Sequence, residues 1–288
     1  MNGAGAWARF WHGQESGRNL AAARILLAGC ALWVVLSRAE LPSLLAFPAE
    51  MWAGVSPERR WRFGLVLGLG AERVLFGLLH VTLLGALLGV LPRLSCLLSG
   101  LLLYHFAPLE TLIRTPNPYL RGLTLPTLGL LVLAAAPCLG GLTLWPRRGA
   151  DDAVPAWPLR LVQVLVCAIY FFAGYAKLWQ SGPGWAAADN MRRYLLSLNQ
   201  GLAADPPATL GYAVAASPLA CALIGVGGLL FELAFPLVLC WRRLRWVWLP
   251  LAAAFHLANS LLFRIFFPNV PLLLLFVDWG GRPGPDHD

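Results

Sequence analysis

Lys177 closes an apolar run, Ile169-Tyr170-Phe171-Phe172-Ala173-Gly174-Tyr175-Ala176-Lys177-Leu178. An amine drawn into such surroundings sheds its proton more readily and can act as a base. The same four-carbon side chain can also snorkel to a membrane interface and stay charged. Further on, His256 and Asn259 stand three apart and so share one helix face. Glu232 lies on the preceding apolar segment, as a partner available to either. A carboxylate, an imidazole and a carboxamide together can orient a proton-transfer group or bind a polar ligand. They can equally serve as a hydrogen-bond network that ties helices together. His105, His256 and Glu232 have no spacing that makes them a metal-ligand set. There is no glycine-rich nucleotide loop, no nucleophile elbow and no HExxH.

The elements that must carry these groups are apolar. Hydrophobic residues make up 58% of the 288 and charged ones 12%, with a mean hydropathy of +0.65. A soluble domain needs roughly a quarter of its residues charged, so the composition predicts an all-α, polytopic transmembrane helical bundle. The predicted spans are Leu20–Leu36, Val74–Leu91, Leu94–Ile113, Leu120–Trp145, Leu159–Leu178, Leu219–Leu239 and Trp246–Leu262. Phe266–Val277 is short and holds two prolines, so it is an eighth, bent span or a re-entrant segment. The expectation is thus seven or eight spans. Residues 1–19 read as an interfacial segment, 20–277 as the membrane domain and 278–288 as a polar tail. An amphipathic helix is expected over Ala187–Leu198, at the membrane face.

The net charge of +8 is not a nucleic-acid signature, because the basic residues sit at the ends of apolar segments, as in Arg147-Arg148 and Arg242-Arg243. Membrane lipids are the partners this placement implies. Arg9, Arg18, Arg24, Arg93, Arg147, Arg148, Arg160, Arg242, Arg243 and Arg245 fall with the amino terminus and every second loop. Against them stand Glu15, Asp151 and Asp152, so the amino terminus is expected in the cytoplasm of a cell-membrane protein. The six cysteines form no CxxC pair and read as small apolar residues in helices.

The run through Tyr170-Phe171, Ala173-Gly174 and Lys177-Leu178 resembles the vitamin K-dependent gamma-glutamyl carboxylases and their bacterial relatives, the HTTM (horizontally transferred transmembrane) domain proteins. So do Phe255-His256-Leu257-Ala258-Asn259-Ser260-Leu261-Leu262-Phe263 and the stretch from Leu84-Gly85-Ala86-Leu87 to Arg93-Leu94-Ser95-Cys96. The resemblance runs over roughly Leu20 to Val277 and implies a helical membrane domain of about eight spans. In the carboxylases the lysine matching Lys177 is the base that deprotonates reduced vitamin K. The resemblance therefore implies a carboxylase-like enzyme with Lys177 and His256 as catalytic candidates, to which the residue reading adds Glu232, and a reduced quinone of the vitamin K type as cofactor. Asn259, Asn117 and Tyr170 are the residues it implies on the cofactor side. The carboxylases carry Asn-His-Ser-Tyr-Leu where this chain reads Pro116-Asn117-Pro118-Tyr119-Leu120, so Asn117, which cannot titrate, takes the histidine's place. No large lumenal portion follows before Asp288, so a processive carboxylase of tethered proteins is not expected. A non-catalytic protein that binds a lipid, a quinone or another protein in the same bundle is the alternative.

Overall fold

The structure is a computed structural model that describes residues 3–39, 42, 67–112, 122–137, 142–144, 153–202 and 206–280. It is all-helical apart from one ribbon of two three-residue strands. The elements are α1 (Gly3–His12), β1 (Gln14–Ser16), α2 (Gly17–Leu36), α3 (Leu69–Leu88), α4 (Pro92–Leu112), α5 (Thr124–Ala134), β2 (Ala153–Pro155) and α6 (Trp157–Ser181). A short 3-10 turn, Gly182–Ala186, leads into α7 (Ala188–Leu198), α8 (Pro206–Ala215), α9 (Pro218–Ala234), α10 (Leu237–Cys240) and α11 (Arg245–Phe263). Another 3-10 stretch covers Val270–Phe276.

Among the described residues, four helical segments are long and apolar enough to cross a bilayer: Gly17–Leu36, Leu69–Leu88, Trp157–Ala186 and Arg242–Phe263. A fifth crossing is made if α8 and α9, bent by 104° at their junction, count as one. The bend has a local cause. Ser217 caps α9 by accepting from the Ala220 N–H, and Pro218 opens the new helix where no N–H is needed. α5 is shorter than the predicted Leu120–Trp145 because the helix stops at Ala134, just before Pro137. Its 11 residues reach about 16 Å, half of a hydrocarbon layer. Phe266–Val277 is likewise no long helix, since Pro268 and Pro271 leave only the seven-residue 3-10 stretch.

The chain forms two compact units, Met1–Val162 with Leu274–Asp288, and Gln163–Leu273. In the first, α2 packs against α3 and α5, and α4 against both of these. Close approach is built in at Gly129, where an added Cβ would lie 2.7 Å from Leu27. Leu20, Leu27, Leu79, Leu83, Leu130 and Leu133 make the fully buried core. Arg24 lies among them with no exposed surface and donates to the carbonyls of Ala86 and Leu142. Ala86 belongs to the last turn of α3, whose carbonyls have no partner within the helix. Arg24 is therefore a helix cap inside the bundle and not the loop charge that the sequence suggests. Arg160 also lies in a helix, paired with Glu15 at 3.0 Å.

Asn19 ties together distant parts of this unit. Its amide donates to Glu15 at 2.8 Å and to Asp278 at 3.0 Å, and its oxygen accepts from the Trp279 N–H at 2.7 Å. Replacing Asn19 by leucine keeps the volume and removes all three bonds. The expected cost is about 1–3 kcal/mol in thermal unfolding, with increased hydrogen exchange at Trp279; unchanged exchange there would show the contact to be idle. Of the described cysteines, Cys30, Cys96, Cys167 and Cys221 are buried free thiols within helices.

Candidate functional site

The second unit places the candidate residues on three helices. Tyr170, Gly174 and Lys177 follow one another at steps of four and three along α6, and so line one face. α9 brings Phe231 and Glu232, with Phe235 at its end, and α11 brings Phe255, His256 and Asn259. Glu232 is 5% exposed and His256 9%, both within apolar helices.

Lys177 meets Glu232. Its Nζ lies 2.5 Å from Oε1 and 2.6 Å from Oε2, so one amine faces both carboxylate oxygens. The Trp185 ring covers the same nitrogen at 4.4 Å from its centroid. Gly182, at φ 58, gives the reversal after α6 that folds Trp185 back over Lys177. Gly174 sets the distance between the helices. A Cβ there would lie 3.1 Å from Glu232 Cβ and 3.1 Å from Leu233 Cγ. Gly174→Ala is expected to push α9 away and to cost about 1–3 kcal/mol in thermal unfolding. An unchanged melting temperature would show that the helices yield without strain.

A second polar pair lies seven residues, about 10 Å, earlier along α6. The Tyr170 hydroxyl and His256 Nε2 are 2.6 Å apart. Tyr170 stacks on Phe235 with centroids 4.0 Å apart, and His256 meets Phe267 edge-on at 4.9 Å. The other ring nitrogen of His256, Nδ1, is buried with no hydrogen-bond partner among the described residues. A buried polar atom left so costs about 1–3 kcal/mol. It is the mark of a place where something else supplies the bond.

The structure thus gathers the sequence candidates into two pairs. Glu232 partners Lys177 rather than His256 or Asn259. Asn259 turns its amide back to the Phe255 carbonyl at 2.8 Å, and its own carbonyl receives the N–H groups that end α11. Asn117 lies outside the described residues. Trp185 was missed by sequence reasoning. The signal was Gly182-Pro183-Gly184, a turn close enough after Lys177 to bring the next aromatic back over it.

The amphipathic helix expected over Ala187–Leu198 is present as α7. Met191 and Leu195 bury its apolar side with Cys221 and Leu262, while Arg192 and Arg193 stay exposed. Asn199 joins it to α11 by donating to the Leu262 carbonyl at 2.8 Å. In the first unit, buried Glu72 accepts from the Leu67 N–H and lies 2.9 Å from His105 Nε2, which fixes the start of α3 against α4. Among the described residues no group of three or more His, Cys, Asp or Glu is placed to hold a metal ion.

Long apolar helices that carry paired ionisable groups inward define a polytopic helical membrane protein with an internal polar site. Its residues 18–279 match the HTTM domain, and the chain belongs to that family. The family implies a membrane domain related to that of the carboxylase. No curated protein and no solved structure matches the chain.

Proposed function

We propose that this protein is a carboxylase-like membrane enzyme that takes a proton from a hydroxyl on an apolar molecule, with Lys177 as the group that meets it. The observation that carries the reading is the Lys177–Glu232 pair, at 2.5 and 2.6 Å. An amine and a carboxylate in hydrogen-bond contact within an apolar bundle can receive and pass a proton without creating net charge. A general base of this kind contributes a factor of about 10² to 10⁴ to a rate.

A reduced quinone of the vitamin K type is the cofactor class proposed, and the residues fit one. Tyr170, Phe255 and Phe267 set aromatic rings around His256, whose Nδ1 awaits a partner such as a ring oxygen. When bound, such a group supplies phenol-like hydroxyls and reducing equivalents for oxygen. Tyr170 holds the tautomer of His256 through Nε2, His256 orients the ring through Nδ1, and the phenylalanines exclude water. Asn259 steadies the end of α11 beneath His256. The test is oxygen uptake by the purified protein in lipid nanodiscs with a reduced naphthoquinone. Lys177→Ala is expected to lower the rate at least a hundredfold, roughly the low end for a general base, with helicity retained. Equal uptake by the variant would overturn the reading.

The same orphaned Nδ1 favours a second reading, a non-catalytic protein that binds a lipid or quinone. Tight naphthoquinone binding with no turnover in that experiment would select it. With α4, the half-length α5, the paired α8 and α9, and the short Val270–Phe276 segment counted, the bundle is proposed to cross a cell membrane seven or eight times. Arg9, Arg18, Arg93, Arg147, Arg148, Arg242, Arg243 and Arg245 still favour a cytoplasmic amino terminus once Arg24 and Arg160 are set aside.

A further inference from the structure

We infer that Glu232, rather than Lys177, is where the abstracted proton comes to rest, and that Lys177 relays it; the inference rests on the proton-transfer reading above. Two independent contacts hold Lys177 as a cation. The carboxylate of Glu232 takes Nζ from one side at 2.5 and 2.6 Å, and the Trp185 face takes it from another at 4.4 Å. Both attractions are strongest with the charged amine. An ammonium has no lone pair, so it can accept a proton only as it gives one up. The side-chain exposures agree with this direction. Lys177 is 27% exposed and Glu232 is 7%, so an arriving hydroxyl meets Nζ, with the carboxylate behind it.

The step balances. The O–H bond of the hydroxyl breaks and its proton joins Nζ, while one of the three protons already on Nζ passes to a carboxylate oxygen of Glu232. Before the step the charges are the ammonium and the carboxylate. After it they are the ammonium and the new oxyanion, with Glu232 neutral. The apolar layer never holds a net charge. Lys177 exchanges one anionic partner for another, which is far less costly than separating charge in a medium of low polarity. Gly174 has a part in this, since the close crossing it permits keeps the carboxylate within reach of Nζ.

The experiment uses the full chain in detergent with a naphthol as probe. Ultraviolet absorption reports whether the bound probe is ionised, and infrared difference spectroscopy reports whether a carboxylic acid forms. In the unsubstituted protein the bound probe is expected to be ionised, with a new carboxylic-acid carbonyl band that shifts in deuterium oxide. Glu232→Gln is expected to abolish that band, and Glu232→Asp to move it, which keeps the test open if the glutamine variant does not fold. An ionised probe with no carboxylic-acid band would overturn the inference and leave Lys177 as the final acceptor. A probe that binds un-ionised, or does not bind, would sink the proton-transfer reading and the inference with it.

Discussion

Glu232→Leu on its own is expected to lower the stability of the protein in detergent by about 3–5 kcal/mol, and adding Lys177→Met to restore most of it. Glu232 has 7% of its side chain exposed and Lys177 27%, so neither charge is well solvated when its partner is gone. Removing the carboxylate leaves an ammonium facing leucine on one side and Trp185 on the other. The indole face returns about 0.5–2 kcal/mol at most, too little to replace a carboxylate at 2.5 Å. Removing both charges leaves methionine against leucine, an apolar contact that suits the Trp185 ring beside it. Chemical unfolding of the two single variants and the double one closes a mutant cycle. Single costs below about 1 kcal/mol, as found for solvated surface pairs, would show that the pair is open to water, and the proton-transfer reading would lose its basis. Stability that recovers in the double variant while activity does not would separate what the pair does for the fold from what it does for chemistry.

The helices themselves were legible because a membrane leaves little choice. An apolar run bounded by charges has to close its own hydrogen bonds. Leu20–Leu36 is thus observed as Gly17–Leu36, Leu159–Leu178 as Trp157–Ser181, and the amphipathic Ala187–Leu198 as Ala188–Leu198. The polar side chains that would be costly in lipid were equally visible. Which of them would meet was not. Periodicity places His256 and Asn259 on one face of α11, yet it says nothing of which helix lies opposite. Glu232 could be paired on paper with either of them, while in the fold it faces Lys177. The clue was Gly174, three residues before Lys177, because only a residue without a side chain lets α9 come so near. Short-range pattern also failed where a proline or a single buried charge decides the outcome, as at Pro137 and Arg24.

Arg24→Met is the other substitution expected to cost a few kcal/mol, and it concerns the fold of the first unit alone. Arg24 is fully enclosed, and its guanidinium serves the carbonyls of Ala86, near the end of α3, and Leu142, the latter at 2.9 Å. Methionine fills similar space but donates nothing. The Ala86 carbonyl is then left in an apolar interior, at about 1–3 kcal/mol, while that of Leu142, a residue 55% exposed, loses its donor at smaller cost. The backbone around them is already committed. Gly89 stands at φ 75 to end α3, and a Cβ there would touch both Thr143 and the guanidinium. Leu142 itself is left-handed at φ 49, a conformation that a leucine keeps only when its surroundings hold it. The loss should therefore reach about 1.5–3 kcal/mol, that of a hydrogen bond to a charged group. Arg24→Lys should recover only part of it, because a single ammonium cannot span two carbonyls as a planar fork does. Thermal unfolding with hydrogen exchange at the end of α3 tests both substitutions. If methionine were tolerated within about 1 kcal/mol, the arginine would be reaching water instead of the helix end, and its place in the sequence as a membrane-flanking charge would stand again.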